Sequence, residues 1–220
     1  MTVDIRVLED PARAAAELLA EAVLGAQLAL SGGGTVGAAY ELAARLQPRW
    51  RGVHVWFGDE RAVPPHDPRS NYRLVRDKLL DALGSPPEVH RIRGEQPAEE
   101  AAASYDAALE GITLDLALNG IGPDGHTASL FPGSPGLRET ERRAIAAEPR
   151  LEPFVPRVTL TPPVFAACGL LVYLVAGEGK AEAVRRAFAA EPSAETPASL
   201  VRGRETVALL DPAAASLLDA

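Results

Sequence analysis

Short apolar runs alternate along this chain with longer stretches in which apolar residues recur at helical spacing, and the alternation persists nearly from end to end. Runs of about four to eight apolar residues are too short for helices and read as strands. They fall at residues 3–8, 27–30, 53–57, 89–92, 114–118, 170–175 and 207–210, with 143–147 and 157–160 as further strands or strand edges. The amphipathic stretches predict helices over 11–24, 35–46, 70–83, 97–109 and 180–189, and a closing helix over 212–218. Their boundaries carry start and stop signals, such as Pro11 at a helix start, Gly25 near a helix end and Ser70 or Asn71 near a cap. Strand-helix alternation on this scale predicts an α/β fold: a mostly parallel, Rossmann-like sheet with helices on both faces. No composition break divides the chain, so a single domain over 1–220 is expected, with residues 191–197 as a surface loop.

Composition narrows the function classes. With 47% hydrophobic and 24% charged residues, the 220-residue chain can bury a large core. A net charge of −8 argues against a nucleic-acid partner, which needs clustered Lys and Arg. It leaves an anionic small molecule open, because a local pocket binds such a ligand. The single cysteine, Cys168, cannot form an internal disulfide and sits in an apolar run, as expected of a buried side chain in a reducing compartment. The N-terminus lacks a basic-then-apolar leader and no apolar run approaches ~18 residues, so no membrane segment is expected and a cytoplasmic location is. None of the four histidines shows ligand spacing, so no metal and no cofactor are expected. The chain is expected to be a monomer or weak homo-oligomer.

Three strand ends carry candidate chemistry. The run from Asn119 to Gly133 leaves the strand at 114–118, and its glycines permit backbone conformations and close approaches that a side chain would block. It presents Asp124 and His126 two positions apart, where open α/β sheets bind ligands. The segment Ser31-Gly32-Gly33-Gly34-Thr35 opens a helix after a strand, so backbone amides, the helix N-terminus and two hydroxyls could cradle a phosphate. It lacks the Gly-Lys-Ser/Thr of a nucleotide-binding P-loop, and the alternative is a tight turn without a ligand. Gly58-Asp59-Glu60-Arg61 reads as a charged turn at a third strand end, and Arg157 and Lys180 add cations beside others. Fixed cations suit a phosphate through charge-assisted hydrogen bonds.

Taken in order, the stretches at 31–35, 58–61, 70–71, 119–133, 157–161 and 177–180 resemble the 6-phosphogluconolactonase family, most specifically in Gly122-Pro-Asp-Gly-His-Thr-Ala-Ser-Leu-Phe-Pro132. The resemblance implies hydrolysis of the sugar-phosphate lactone 6-phospho-D-glucono-1,5-lactone to 6-phospho-D-gluconate, in the oxidative pentose phosphate pathway. For that reaction the candidate catalytic residues are His126, Asp124 and Arg61: His126 to activate water, Asp124 to orient its ring or brace the loop, and Arg61 or the backbone amides near Gly32 and Gly33 to meet the oxyanion. Ser31, Gly32, Gly33, Gly34, Thr35, Asp59, Asn71, Arg157 and Lys180 are implied as substrate or phosphate contacts. The sister glucosamine-6-phosphate deaminases carry a similar Asp-Gly-His but continue toward an Asn-Glu-Pro sequence, whereas no carboxylate follows His126 here before Glu139. They also tend to carry Asp-Glu-Tyr where this chain has Asp59-Glu-Arg61. Within the lactonase pattern, Gly34 stands where Ser is frequent and Asn119 where Leu is frequent. A deaminase, for which Asp59 would act as carbon base, and a non-catalytic sugar-phosphate sensor are the alternatives.

Overall fold

The computed structural model describes residues 2–22, 24–150, 152 and 154–218. In chain order the elements are β1 (Asp4–Val7), α1 (Pro11–Ala20), β2 (Gln27–Leu30), α2 (Gly34–Leu46), β3 (His54–Phe57), β4 (Asp59–Arg61) and α3 (Asn71–Lys78). There follow β5 (Glu88–Val89), α4 (Ala98–Ala108), β6 (Leu116–Asn119), β7 (Ala144–Ala147), β8 (Arg157–Leu160) and α5 (Pro162–Ala167). The last are β9 (Leu170–Val175), α6 (Ala181–Phe188), α7 (Pro197–Leu200) and β10 (Glu205–Leu210).

Seven strands form one sheet in the order β1-β10-β9-β6-β2-β3-β5, and every pairing in it is parallel. Helices pack around it. Burial follows the sequence pattern. The apolar runs of β2, β6, β9 and β10 occupy the interior of the sheet and are almost wholly buried, as strands covered on both faces must be. The less apolar β1 and β5 take the edges and are exposed. Asp10 caps α1 by accepting from the Arg13 amide, and Ser70 caps α3 by accepting from the Arg73 amide. Among the described residues no helix is long and apolar enough to cross a membrane.

Topology places the site. From β2 the chain moves outward through β3 to β5, then returns to lay β6 on the other side of β2. The carboxyl ends of β2 and β6 therefore diverge at a switch point, where open α/β sheets form a crevice.

Several expectations are corrected. The mostly parallel sheet is present, but β4, β8 and β7 form a second, antiparallel sheet that local pattern did not announce. Residues 59–61, read as a turn, are strand β4, because β8 pairs with them from a hundred positions away (Asp59 opposite Thr159). Helix α1 stops at Ala20 rather than 24; Val23 lies outside the described residues, and the Gly25 amide turns away to the Gly52 carbonyl. Residues 212–218 form turns, since the Asp211 carboxylate is held by the amides of Gly177 and Ala214 and so short a segment cannot propagate a helix. The segment 191–197 gives way to α7, which begins at Pro197.

Candidate active site

Strand β2 carries Ser31 to the crevice, and Gly32 and Gly33 turn the chain into α2. A Cβ on Gly32 would collide with the Asn71 side-chain oxygen, and Gly33 has φ +127, so both positions need glycine. No side chain caps α2. Its first amides and the positive end of its dipole are thus available to an anion in the cleft that Gly33, Gly34, Thr35 and Val36 line. Ser31 itself is committed: its hydroxyl donates to the Leu118 carbonyl at 2.7 Å and its amide donates to the Tyr40 hydroxyl at 3.0 Å. It ties β2 to β6, and its hydroxyl hydrogen is not available to a phosphate.

Strand β6 delivers the loop at 120–127. The loop closes on itself, with the Gly122 amide donating to the His126 carbonyl at 2.8 Å and the Gly125 amide to the Gly122 carbonyl at 2.9 Å. Within it His126 Nδ1 lies 2.5 Å from Asp124 Oδ1, and the same oxygen accepts from the His126 amide at 3.2 Å. An ionised carboxylate on Nδ1 selects the tautomer with the proton there and leaves Nε2 to act as a base. Burial works to raise the Asp124 carboxyl, but the hydrogen bonds and charge of His126 outweigh it and hold the group below the usual carboxylate range. A Cβ on Gly122 would collide with the His126 ring, so that glycine is the space the dyad occupies. Ala128, also at the cleft, has φ 49, an unusual strain for a residue with a side chain.

The facing wall comes from the small antiparallel sheet. Its register sets Arg61 directly opposite Arg157. Like charges at such a pair are unfavourable on their own and become favourable around an anion. Burial lowers the Arg157 guanidinium, Asp59 opposes that shift and Arg61 adds to it. A chain of hydrogen bonds, buried except where Arg61 meets the cleft, fixes this wall. Ser129 Oγ donates to Asp59 Oδ2 at 2.6 Å, Asn71 Nδ2 donates to Asp59 Oδ1 at 2.9 Å, and Arg61 Nη1 donates to Asn71 Oδ1 at 2.5 Å. Beneath them the Glu60 carboxylate accepts from the amides of Arg61, Asn71 and Tyr72 and from the Ser70 hydroxyl. Burial pushes the Glu60 carboxyl up, and those four donors act against it. Lys180 reaches in from beyond β9 and donates to the Ile121 carbonyl at 2.9 Å. Burial lowers its ammonium pKa, with Asp124 acting in the other direction.

Ser31, Gly32, Gly33, Gly34, Thr35, Asp59, Arg61, Asn71, His126, Arg157 and Lys180 all line one cleft of about 310 Å³, a size suited to a small ligand. Asp124 stands behind His126 rather than in the lining. Sequence reasoning missed Glu60 and Ser129 as builders of the site. The Ser70-Asn71-Tyr72 helix start, rich in donors needing an acceptor, is the one local signal that a buried carboxylate was required.

A family model described as glucosamine-6-phosphate isomerases/6-phosphogluconolactonase matches residues 5–209 of the chain. A 6-phosphogluconolactonase of Streptomyces coelicolor is 37% identical over 205 residues, covering 86% of this chain and 78% of the relative. The human 6-phosphogluconolactonase is 39% identical over 209 residues, covering 87% of this chain and 80% of the relative. Among solved structures, a 6-phosphogluconolactonase from Thermotoga maritima is similar with a TM-score of 0.83 and 29% identity, over 96% of this chain and 99% of that one.

Proposed function

We propose that this chain, which belongs to the family of glucosamine-6-phosphate isomerases and 6-phosphogluconolactonases, hydrolyses 6-phospho-D-glucono-1,5-lactone to 6-phospho-D-gluconate in the oxidative pentose phosphate pathway. The observation that carries this reading is one cleft shared by an imidazole backed by a carboxylate and a ring of anion-binding groups. The whole chain, 1–220, acts as one sugar-phosphate lactonase domain, in the cytoplasm, as a monomer or weak homo-oligomer. It uses neither a nucleic-acid partner nor a cofactor.

The chemistry follows from the two walls. The amides at the start of α2, with Arg157 and Lys180, take the phosphate through charge-assisted hydrogen bonds. That anchors the ring with C1 toward the dyad. His126 Nε2 removes a proton from water as its oxygen attacks C1, and Asp124 favours the imidazolium that forms. Arg61, held by Asn71, meets the negative charge developing on the carbonyl oxygen. When the C1–O5 bond breaks, the imidazolium returns its proton to O5. Water has then added across the ester, leaving a carboxylic acid that ionises and a free hydroxyl. No metal is required, because an activated water attacks a lactone carbonyl without a Lewis acid.

Acid release from freshly prepared 6-phosphogluconolactone, corrected for spontaneous hydrolysis, tests the reading. Saturable acceleration is the expected result. Ammonia release from glucosamine 6-phosphate, with no acceleration of lactone opening, would instead establish the deaminase; Asp59, with both carboxylate oxygens already accepting hydrogen bonds, is poorly placed as its base.

A further inference from the structure

At the end of β3 opposite the cleft, parallel register brings three ligating side chains together. His54 opens β3 and lies opposite Glu88 of the edge strand β5, while the His90 amide donates to the Val55 carbonyl at 2.8 Å. His54 Nδ1 lies 3.0 Å from His90 Nε2 and 3.5 Å from Glu88 Oε2, and donor atoms of all three fall within 4.8 Å of one another. An ion bound tetrahedrally at about 2.0–2.1 Å holds its donors roughly 3.3 Å apart, close to the two separations measured from His54 Nδ1. One proton on His54 Nδ1 can serve one of its two neighbours. A cation between the three serves them all.

The arrangement is also held in place. His90 lies flat on the Trp56 indole, with ring centroids 4.0 Å apart and an interplanar angle of 11°, and the indole N–H donates to Gln27 Oε1 at 2.7 Å. The His54 ring lies nearly parallel to His90, at 19°. Glu88 is largely exposed and provides the path of entry. We propose that His54, Glu88 and His90 form a binding site for zinc or a zinc-like divalent cation, two imidazoles and one carboxylate with water completing the shell. Two imidazoles with a carboxylate is a ligand set that zinc accepts. The ion would fasten the two-residue strand β5 to β3, a structural role separate from catalysis.

Chelator-stripped protein titrated with zinc chloride, by calorimetry and by thermal melting, tests the site. We expect one equivalent bound, a melting temperature that rises with zinc concentration and unchanged lactone turnover. Glu88→Gln, at the exposed position, should weaken zinc binding at least ~10-fold, since losing even an outer-shell partner costs that much. The pair His54→Gln and His90→Gln should abolish it, and His126→Asn should leave the stoichiometry intact. Nitrogen-15 spectra of the unaltered protein serve if the double variant fails to fold: zinc should shift the ring resonances of His54 and His90. Absence of stoichiometric zinc, binding indifferent to Glu88→Gln, loss of binding in His126→Asn, or shifts confined to other histidines would each overturn the proposal.

Discussion

Across the cleft, the loop after β6 and the strand pair β4/β8 hold their side chains in opposite ways. His126 is oriented by a single carboxylate, and its side chain keeps 20% of its surface open. Asp59, Glu60, Asn71, Ser129 and Arg157 are each 5% exposed or less, and the first four are bound into one hydrogen-bonded block with the Arg61 guanidinium. The difference matches what each wall must do. A base that takes and returns a proton in every cycle needs contact with water and a partner that tolerates both charge states. Groups that present a fixed charge act more strongly when sealed from solvent. The β6 wall should therefore govern the proton transfers of turnover, and the other should govern binding and stability while supplying Arg61 to the developing oxyanion.

Breaking the β6 wall should have the largest effect. His126→Asn should lower kcat by ~10²–10⁴-fold, the usual contribution of general acid–base catalysis, with KM and melting temperature nearly unchanged. Asp124→Asn should fall between that variant and the parent. Steady-state kinetics beside thermal melts check both, and a His126→Asn enzyme of near-normal kcat would remove the base from the account.

Breaking the opposite wall should separate binding from stability. Arg157→Ala should raise KM for the phosphorylated lactone by the equivalent of roughly 1.5–3 kcal/mol, the range of hydrogen bonds to charged groups. Glu60→Ala touches no substrate, yet it strips an acceptor from three amides and a hydroxyl. Denaturant unfolding should show a loss of about 1–3 kcal/mol or more, as for buried donors left unsatisfied. An unchanged unfolding midpoint would mean that the block is not the fixed scaffold described.

The smallest expected effect sharpens the comparison, because Lys180 belongs to the β6 side yet is partly sealed. Burial sets its folded pKa below its unfolded one. The charged lysine therefore opposes folding at neutral pH, and that opposition fades as pH rises through the folded value toward the unfolded one. Lys180→Met should raise stability by roughly 0.5–1 kcal/mol at neutral pH while weakening phosphate binding. Thermal melts of both proteins at neutral and strongly alkaline pH check the sign: the gap should narrow in alkali.

The same contrast explains what could be read from the sequence. Asp124 and His126 are two positions apart, and the glycines that make room for them lie in the same loop, so that wall is written locally. The glycine turn at 31–35 was legible for the same reason, although the commitment of the Ser31 hydroxyl to Leu118 depends on β6 lying beside β2. Arg61 opposite Arg157 and the triad His54, Glu88 and His90 are products of register between distant strands, and Ser129 on Asp59 joins the loop after β6 to a strand far upstream. No spacing rule applied along the chain finds a cross-strand pair, and residues 59–61 looked like a charged turn because their partner strand lies far downstream. The interior strands of the main sheet were clear because burial on both faces demands unbroken apolar runs. Residues 212–218 misled because helical composition does not reveal that Asp211 holds the Gly177 amide.

The division of labour is tested most directly by crossing two variants with two substrates: His126→Asn and Arg157→Ala, each assayed on 6-phosphogluconolactone and on unphosphorylated glucono-1,5-lactone. His126→Asn should reduce the catalysed rate by a similar factor on both lactones. Arg157→Ala should lower kcat/KM for the phosphorylated lactone alone and leave the slow hydrolysis of the other nearly untouched. Equal losses on both substrates in the Arg157→Ala enzyme would contradict the account, because Arg157 would then serve the chemistry or the fold and not the phosphate.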